Sequence, residues 1–199
     1  MNIIKLENNG NLFFTTEDIS RILNISDASS RVFCSRYVNK KILIRLKKDI
    51  YILKEKINLL EREDLFFLSN LIQTPSYISF MTAMAYFEVT TQMTRNIIEA
   101  VSVIRTKTFD SENFNFIYKK LKNNLYFSFN RIGKFFIATK EKAFLDCLYF
   151  QSLGRYDFDI ESIDFNKLDL KILKKLSKKF PFKTQKLLNQ LIQNSKFRI

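Results

Sequence analysis

Two arginines and two serines on one stretch of chain raise the first question of chemistry. Ser30, Phe33, Cys34 and Tyr37 recur at i, i+3, i+4 and i+7, the spacing of a stripe buried along one side of a helix. The opposite side then presents Ala28, Arg31, Val32, Ser35 and Arg36, with Ser29 toward one edge. Small residues let a helix approach base edges closely, and guanidinium groups donate to guanine edges or to phosphates. Lys40, Lys41, Lys47 and Lys48 follow shortly after. Ammonium groups at that density suit a phosphate backbone. Ser29, Arg31, Ser35, Arg36, Lys40, Lys41, Lys47 and Lys48 are therefore the expected contacts to double-stranded DNA.

Local signals around these residues predict the elements that hold them. Thr16 precedes Glu17, Asp18, Ile19, Ile22 and Leu23, an N-cap with acids in the first turn and then an apolar face. Asn24-Ile25 makes a turn, and Ser26 or Asp27 caps a second helix to about Asn39. Two short helices joined so tightly form a helix-turn-helix pattern. Ile42 to Leu46, a turn at Lys47-Lys48-Asp49, and Ile50 to Leu53 then read as a β-hairpin, a wing that would touch phosphates. Residues 1–56 are expected to be this winged helix-turn-helix.

What is missing narrows the function further. The chain of 199 residues has no histidine, the commonest general base and metal ligand. Its three glycines, Gly10, Gly133 and Gly154, cannot form a P-loop or a dinucleotide cradle. Cys34 and Cys147 form no paired motif, and Cys34 falls on the apolar face of its helix. Asp157, Asp159, Glu161 and Asp164 could hold a metal, but a solvated polar stretch is the better reading. Neither an enzyme nor a cofactor is expected. No stretch approaches the ~20 apolar residues that cross a bilayer, so the expected location is the cytoplasm, with no membrane partner. The net charge of +13 suits a nucleic-acid binder, although a lysine-rich, AT-biased genome also places lysines on ordinary solvated faces.

The rest of the chain reads as a mixture of strands and helices. Residues 57–75 are expected to be a connecting helix, Leu59 to Ile72, ended by Thr74-Pro75. Residues 76–199 should form a mixed α/β domain with a small antiparallel sheet and C-terminal helices. Within it, Tyr77 to Phe87 reads as a short buried helix, Glu99 to Thr106 and Phe114 to Tyr118 as strands, and Leu125 to Phe129 and Lys134 to Ala138 as a hairpin. Thr139 is a plausible N-cap for a helix carrying Ala143, Phe144, Cys147, Leu148 and Phe150. Pro181 separates two last amphipathic helices, the first made basic by Lys171, Lys174, Lys175, Lys178 and Lys179. The expected class is α+β.

Three stretches in this order carry a family resemblance: Lys48-Asp49-Ile50-Tyr51-Ile52-Leu53, then Tyr77-Ile78-Ser79 with Thr82-Ala83-Met84-Ala85-Tyr86, then Ile137 to Asp146 around Glu141-Lys142-Ala143. Leu168-Asp169 before the basic helix fits as well. The chain resembles the AbiEi-type antitoxins, transcriptional regulators of abortive-infection and type IV toxin–antitoxin systems. The resemblance implies a winged helix followed by an α/β domain, repression of its own operon through operator DNA, and neutralisation of a cognate, nucleotidyltransferase-like toxin in phage defence. Lys41, Asp49 and Glu88 stand where glycine is common in that family; Asp49 still tolerates a left-handed turn, while Lys41 and Glu88 bring the local turn geometry, not the fold, into question. Glu141 and Asp146 are expected to anchor a helix start and local hydrogen bonds. Alternatives are direct toxin binding through the C-terminal domain, a stand-alone winged-helix regulator, an RNA binder using exposed aromatics and the lysine-rich helix, and an enzyme acting on nucleic acid.

Overall fold

The structure is a computed structural model that describes residues 2–92, 96–110 and 114–194. It is mixed α+β and divides into two compact units, Met1–Asp64 and Leu65–Ile199.

The first unit contains α1 (Asn2–Glu7), β1 (Phe13–Phe14), α2 (Thr16–Leu23), α3 (Asp27–Asn39), β2 (Leu43–Lys47) and β3 (Ile50–Leu53), followed by a 3-10 turn over Lys54–Leu59. Its three strands form an antiparallel sheet in the order β1-β3-β2. Ile19 and Leu23 of α2, Phe33 and Cys34 of α3, and Leu43, Tyr51 and Leu53 of the hairpin close one core with Leu6 and Phe14. The cap of α2 is Thr15 rather than Thr16. Asp18 decides this, because it lies three residues after Thr15 and completes a capping box. The Asp18 amide donates to Thr15 Oγ1 at 3.0 Å, and the Thr15 amide donates to Asp18 Oδ2 at 2.9 Å. Thr16 is used elsewhere: its hydroxyl and its amide both donate to Asp49 Oδ1 in the hairpin turn.

Lys41, Asp49 and Glu88 all adopt left-handed backbone, with φ of 57°, 65° and 56°. These are turns that glycine would enter without the Cβ penalty. Asp49 is held by the bonds from Thr16, and the Glu88 carbonyl accepts from Lys167 Nζ at 2.9 Å.

The second unit holds α4 (Arg62–Ile72, its first turn in the first unit), β4 (Ser76–Ile78), α5 (Phe80–Tyr86), β5 (Ile97–Ser102), β6 (Lys107–Asp110), β7 (Asn115–Lys120), β8 (Phe129–Ile132), β9 (Phe135–Ala138), α6 (Lys140–Ser152), α7 (Leu170–Ser177) and α8 (Phe182–Gln193). The expected small antiparallel sheet is instead six-stranded and mixed, in the order β6-β7-β5-β4-β9-β8. The pairs β5·β7 and β4·β9 are parallel. The expected helix from Tyr77 is broken, because Tyr77 and Ile78 pair in β4 and only Phe80–Tyr86 is helical. The hairpin strand expected at Leu125 to Phe129 starts at Phe129, after a 3-10 turn over Asn123–Leu125. The helix expected from Leu59 begins at Arg62 and is a core element: Phe66 meets Tyr86 and Phe135 edge to face, and Asn70 bonds Ser76 and the Phe136 amide.

Helix α6 runs through the middle of this unit and is buried from Glu141 to Phe150. Thr139 caps it, accepting from the Lys142 amide at 3.3 Å. Lys142 and Asp146, one turn apart, form an ion pair with no solvent exposure. Lys142 Nζ also donates to the Tyr77 hydroxyl at 2.9 Å, and Asp146 Oδ2 accepts from Tyr77 at 3.1 Å and Ser79 at 2.8 Å. The rings of Tyr77, Phe127 and Phe180 surround the ammonium at 5.2–5.4 Å. Burial pulls the Lys142 ammonium down and pushes the Asp146 carboxyl up, and the charge of each opposes the shift of the other. Glu141, by contrast, turns to the Asp169 amide at the start of α7.

Breaking this pair from one side strands a buried charge. Lys142→Ala should cost about 3–5 kcal/mol, measured by urea denaturation of the full chain. Lys142→Met combined with Asp146→Leu should recover most of that loss. A loss below about 1 kcal/mol for the single variant would show that the fold does not depend on the pair.

Candidate nucleic-acid interface

Helix α3 is held by its cap and its buried stripe. Ser26 Oγ accepts from the Ser29 amide at 3.2 Å and bonds the Ser29 hydroxyl at 2.9 Å. Ser30, Phe33 and Cys34 are buried, and Tyr37 stacks on Phe33 at 4.1 Å between ring centroids. Burial, reinforced by the charge of Asp49, pushes the Cys34 thiol up to about 11, so it stays a neutral core group. Asn24, Ile25 and Ser26 join α2 to α3. The Asn24 backbone is left-handed, and the Ser20 hydroxyl donates to the Ile25 carbonyl at 2.6 Å.

The opposite face of α3 is open. Ala28, Ser29, Arg31, Val32, Ser35 and Arg36 are all exposed. Val32 is 58% exposed and sets an apolar group on this face. Along this face lies a shallow concavity of about 430 Å³, lined by Ile25, Ala28, Ser29, Val32, Phe33 and Arg36. Among the described residues, neither Arg31 nor Arg36 has an acidic partner. Both guanidinium groups therefore keep their donors for a ligand.

The eight predicted residues fall into three groups. Ser29, Arg31, Ser35 and Arg36 share the open face of α3. Lys40 is the C-cap of that helix, its ammonium 5.8 Å from the Tyr37 ring, and Lys41 forms the turn into β2. At 1.5 Å per residue, Lys40 lies roughly 16 Å along the axis from Ser29, too far to share one phosphate with it. Lys47 ends β2 and Lys48 begins the turn, both exposed. The reading placed Lys47 in the turn. A bulge between Arg45 and Lys47 instead keeps it in the strand and redirects its side chain.

Two residues belong here that the sequence reading passed over. Asn39 extends the open face by one turn beyond Ser35. Arg45 lies opposite Tyr51 in the hairpin, on the sheet face that packs against α3, and it is exposed at the margin of that core. Its charge acts on both Cys34 and Tyr51, which places it beside the helix. The alternation Leu43, Arg45 along β2 was the available signal.

Elsewhere, acids that could have bound metal serve as caps. Asp159 accepts from the Glu161 amide, and Asp164 from the Asn166 amide. Tyr77, Ser79, Lys142 and Asp146 are sealed from solvent, and so hold the fold rather than a substrate. Glu99 is buried in β5, with one carboxylate oxygen accepting from the Tyr156 hydroxyl at 2.8 Å and the other without a partner among the described residues. Among the described residues, no helix is long and apolar enough to cross a membrane.

Burial is the main cause that raises the Glu99 carboxyl, partly offset by the Tyr156 hydroxyl bond and the Lys119 charge. A carboxyl raised on folding favours the folded state fully below its unfolded value, near 4.5, and loses that contribution as pH climbs through the folded value. Stability should therefore fall as pH rises from about 4 toward neutrality, and Glu99→Gln should flatten this dependence and be the more stable protein at neutral pH. Thermal melts across that range would check it; parallel curves for the two proteins would contradict it.

No model of a known protein family matches the chain, and no curated protein sequence matches it.

Proposed function

We propose that the first unit is a winged helix-turn-helix and that the protein is a DNA-binding repressor of its own operon, acting also as an antitoxin. The observation that carries the DNA-binding reading is the two-sided character of α3. Its inner stripe is fully engaged in the core, while its outer face offers two guanidinium groups, two hydroxyls and one exposed valine. In this reading α3 enters the major groove, and Arg31 and Arg36 donate to guanine edges. Val32 meets a thymine methyl, and Ser29 and Ser35 adapt to either base. Lys40, Lys41, Lys47 and Lys48 contact phosphates at the two ends of the interface and fix its register. The link from Thr16 to Asp49 ties the hairpin tip to the start of α2. The antitoxin role rests on the resemblance, which runs on through Tyr77 to Asp146. In this reading the second unit meets the cognate toxin.

Three outcomes are expected. Arg31→Ala with Arg36→Ala should weaken operator binding by about 1–3 kcal/mol per lost base contact, read by mobility shift at fixed salt. The exposed positions leave the fold intact, and unchanged affinity would remove α3 from the groove. Lys47→Gln with Lys48→Gln should weaken specific and non-specific duplexes alike and reduce the log–log salt slope by about 0.9 per lost phosphate contact. A loss confined to the specific site would mean that the hairpin reads bases. The full chain carrying the two arginine substitutions should still protect cells that express the toxin encoded beside it. Loss of protection with loss of DNA binding would place neutralisation in repression alone. The full chain is the right vehicle, because a fragment cut at Thr74-Pro75 would lose the core residues Phe66, Leu68 and Ile72 of α4.

A further inference from the structure

The second unit carries a concentration of positive charge along one helix, of which Lys179 lies over the Phe127 ring at 4.4 Å. Lys171, Lys174, Lys175, Lys178 and Lys179 follow α7 and its C-terminal end, and all are exposed. At 100° per residue they occupy one side of the helix, while Leu173 and Ser177 are buried on the other. Among the described residues, none of these five has a carboxylate partner. Directly after them, across Pro181, stands Phe182, 78% exposed at the start of α8 and next to Lys183. Among the described residues it is the most exposed large hydrophobic side chain, and it stands among ammonium groups.

A basic groove lies in the same unit. It measures about 580 Å³, and Lys119, Lys120, Lys122 and Arg155 line it, with Tyr149 and Phe150 as an aromatic floor. Tyr149 packs against Phe180 at 5.9 Å, two residues before Phe182. Ser152 and Thr184 bond at 3.1 Å, so the end of α6 meets the first turn of α8. The elements that carry the groove and the corner are thus packed on each other.

We infer that this surface binds single-stranded nucleic acid, with the lysines following the backbone and Phe182 stacking on an unpaired base. The inference goes beyond the operator-binding reading and uses a different surface. Charge calls for a polyanion. The exposed ring selects among polyanions, since a duplex keeps its bases stacked inside whereas a single strand offers a free π-face. A membrane surface fits less well. An interfacial helix must turn a broad apolar face to lipid, whereas Leu173 of α7 is buried in the fold and Ile172 is the one large apolar side chain that this helix exposes among the described residues.

The test uses the full chain carrying Arg31→Ala and Arg36→Ala together with Lys40→Gln, Lys41→Gln, Lys47→Gln and Lys48→Gln, so that every charged contact proposed for the first unit is removed. Binding of a fluorescent oligouridylate of about 12 nucleotides, within the usual span of such sites, is followed by anisotropy beside a duplex of the same length. The single strand should bind more tightly than the duplex. Adding Phe182→Ala should weaken it roughly 5- to 150-fold, the range of one stacked base, with an unchanged circular dichroism spectrum. Adding Lys175→Gln and Lys178→Gln instead should lower the log–log salt slope by about 0.7 per lost contact. Equal binding of the duplex, indifference to Phe182→Ala, or displacement by polyglutamate as efficiently as by unlabelled oligouridylate would each overturn the inference. The last result would identify the surface as a dock for an acidic protein. The operator assay can fail without touching this result, because the probe here is a single strand and the residues compared within one background are Phe182, Lys175 and Lys178.

Discussion

A lysine buried beside an aspartate is tolerated only when every donor and lone pair is answered, and in this protein the answers come from four separate parts of the second unit. Lys142 and Asp146 lie on α6, Tyr77 on β4, Ser79 at the start of α5, and the rings of Phe127 and Phe180 come from a loop and from the α7–α8 junction. Hydrophobic residues of the same volume could fill this space at similar or lower cost. The directed bonds tie α6 to β4 and to the start of α5. The same cluster reaches the α7–α8 junction, where Phe180 packs on the buried ammonium while Phe182, two residues on, is exposed to water.

The excess of basic residues is divided between places that have little else in common. In the first unit the cations stand around a helix whose other face is closed by a small core. In the second they follow a helix and a groove with an aromatic floor. Guanidinium groups dominate the open face of α3 and ammonium groups dominate α7. Planar forks suit the fixed geometry of base edges, whereas flexible point charges suit a backbone whose path varies. The distribution of charge type thus follows the rigidity of the proposed ligand in each place.

The sequence was legible where one face of an element is wet. The stripe Ser30, Phe33, Cys34, Tyr37 marks α3 because its other side is polar, and Thr139 and Pro181 mark helix boundaries by their own stereochemistry. Legibility failed where burial is complete or absent. Tyr77 to Phe87 is apolar throughout, so period 2 and period 3.6 cannot be told apart, and β4 was read as part of a helix. Strand β6 lies at the sheet edge with Lys107, Thr108 and Asp110 in water, and it leaves no alternation to read. Asp146 is expected to make local hydrogen bonds, but its pairing with Lys142 leaves no mark in the sequence. Nothing local says that α6 is surrounded, and so nothing local says that the pair is buried. The glycine-like positions Lys41, Asp49 and Glu88 were visible only through the family resemblance, since no propensity scale assigns left-handed backbone to lysine or glutamate.

The pairing of β4 with β9 has a consequence for the chain as it leaves the ribosome. The first unit closes with elements that end at Leu59, and each of its contacts is available once that segment has emerged. The second unit cannot close in the same way. One edge of β4 can meet β5 early, but the other waits for β9, and the Tyr77 hydroxyl waits for a lysine 65 residues later. At roughly 5–20 residues per second, that interval lasts about 3–13 seconds. Throughout it an apolar strand edge is open beside a phenol with no partner, the kind of surface that invites pairing with another nascent chain. The first unit would thus be complete while the second is still open, and the arrival of β9 and then α6 would end the exposure by supplying the missing strand edge and the buried cation in turn.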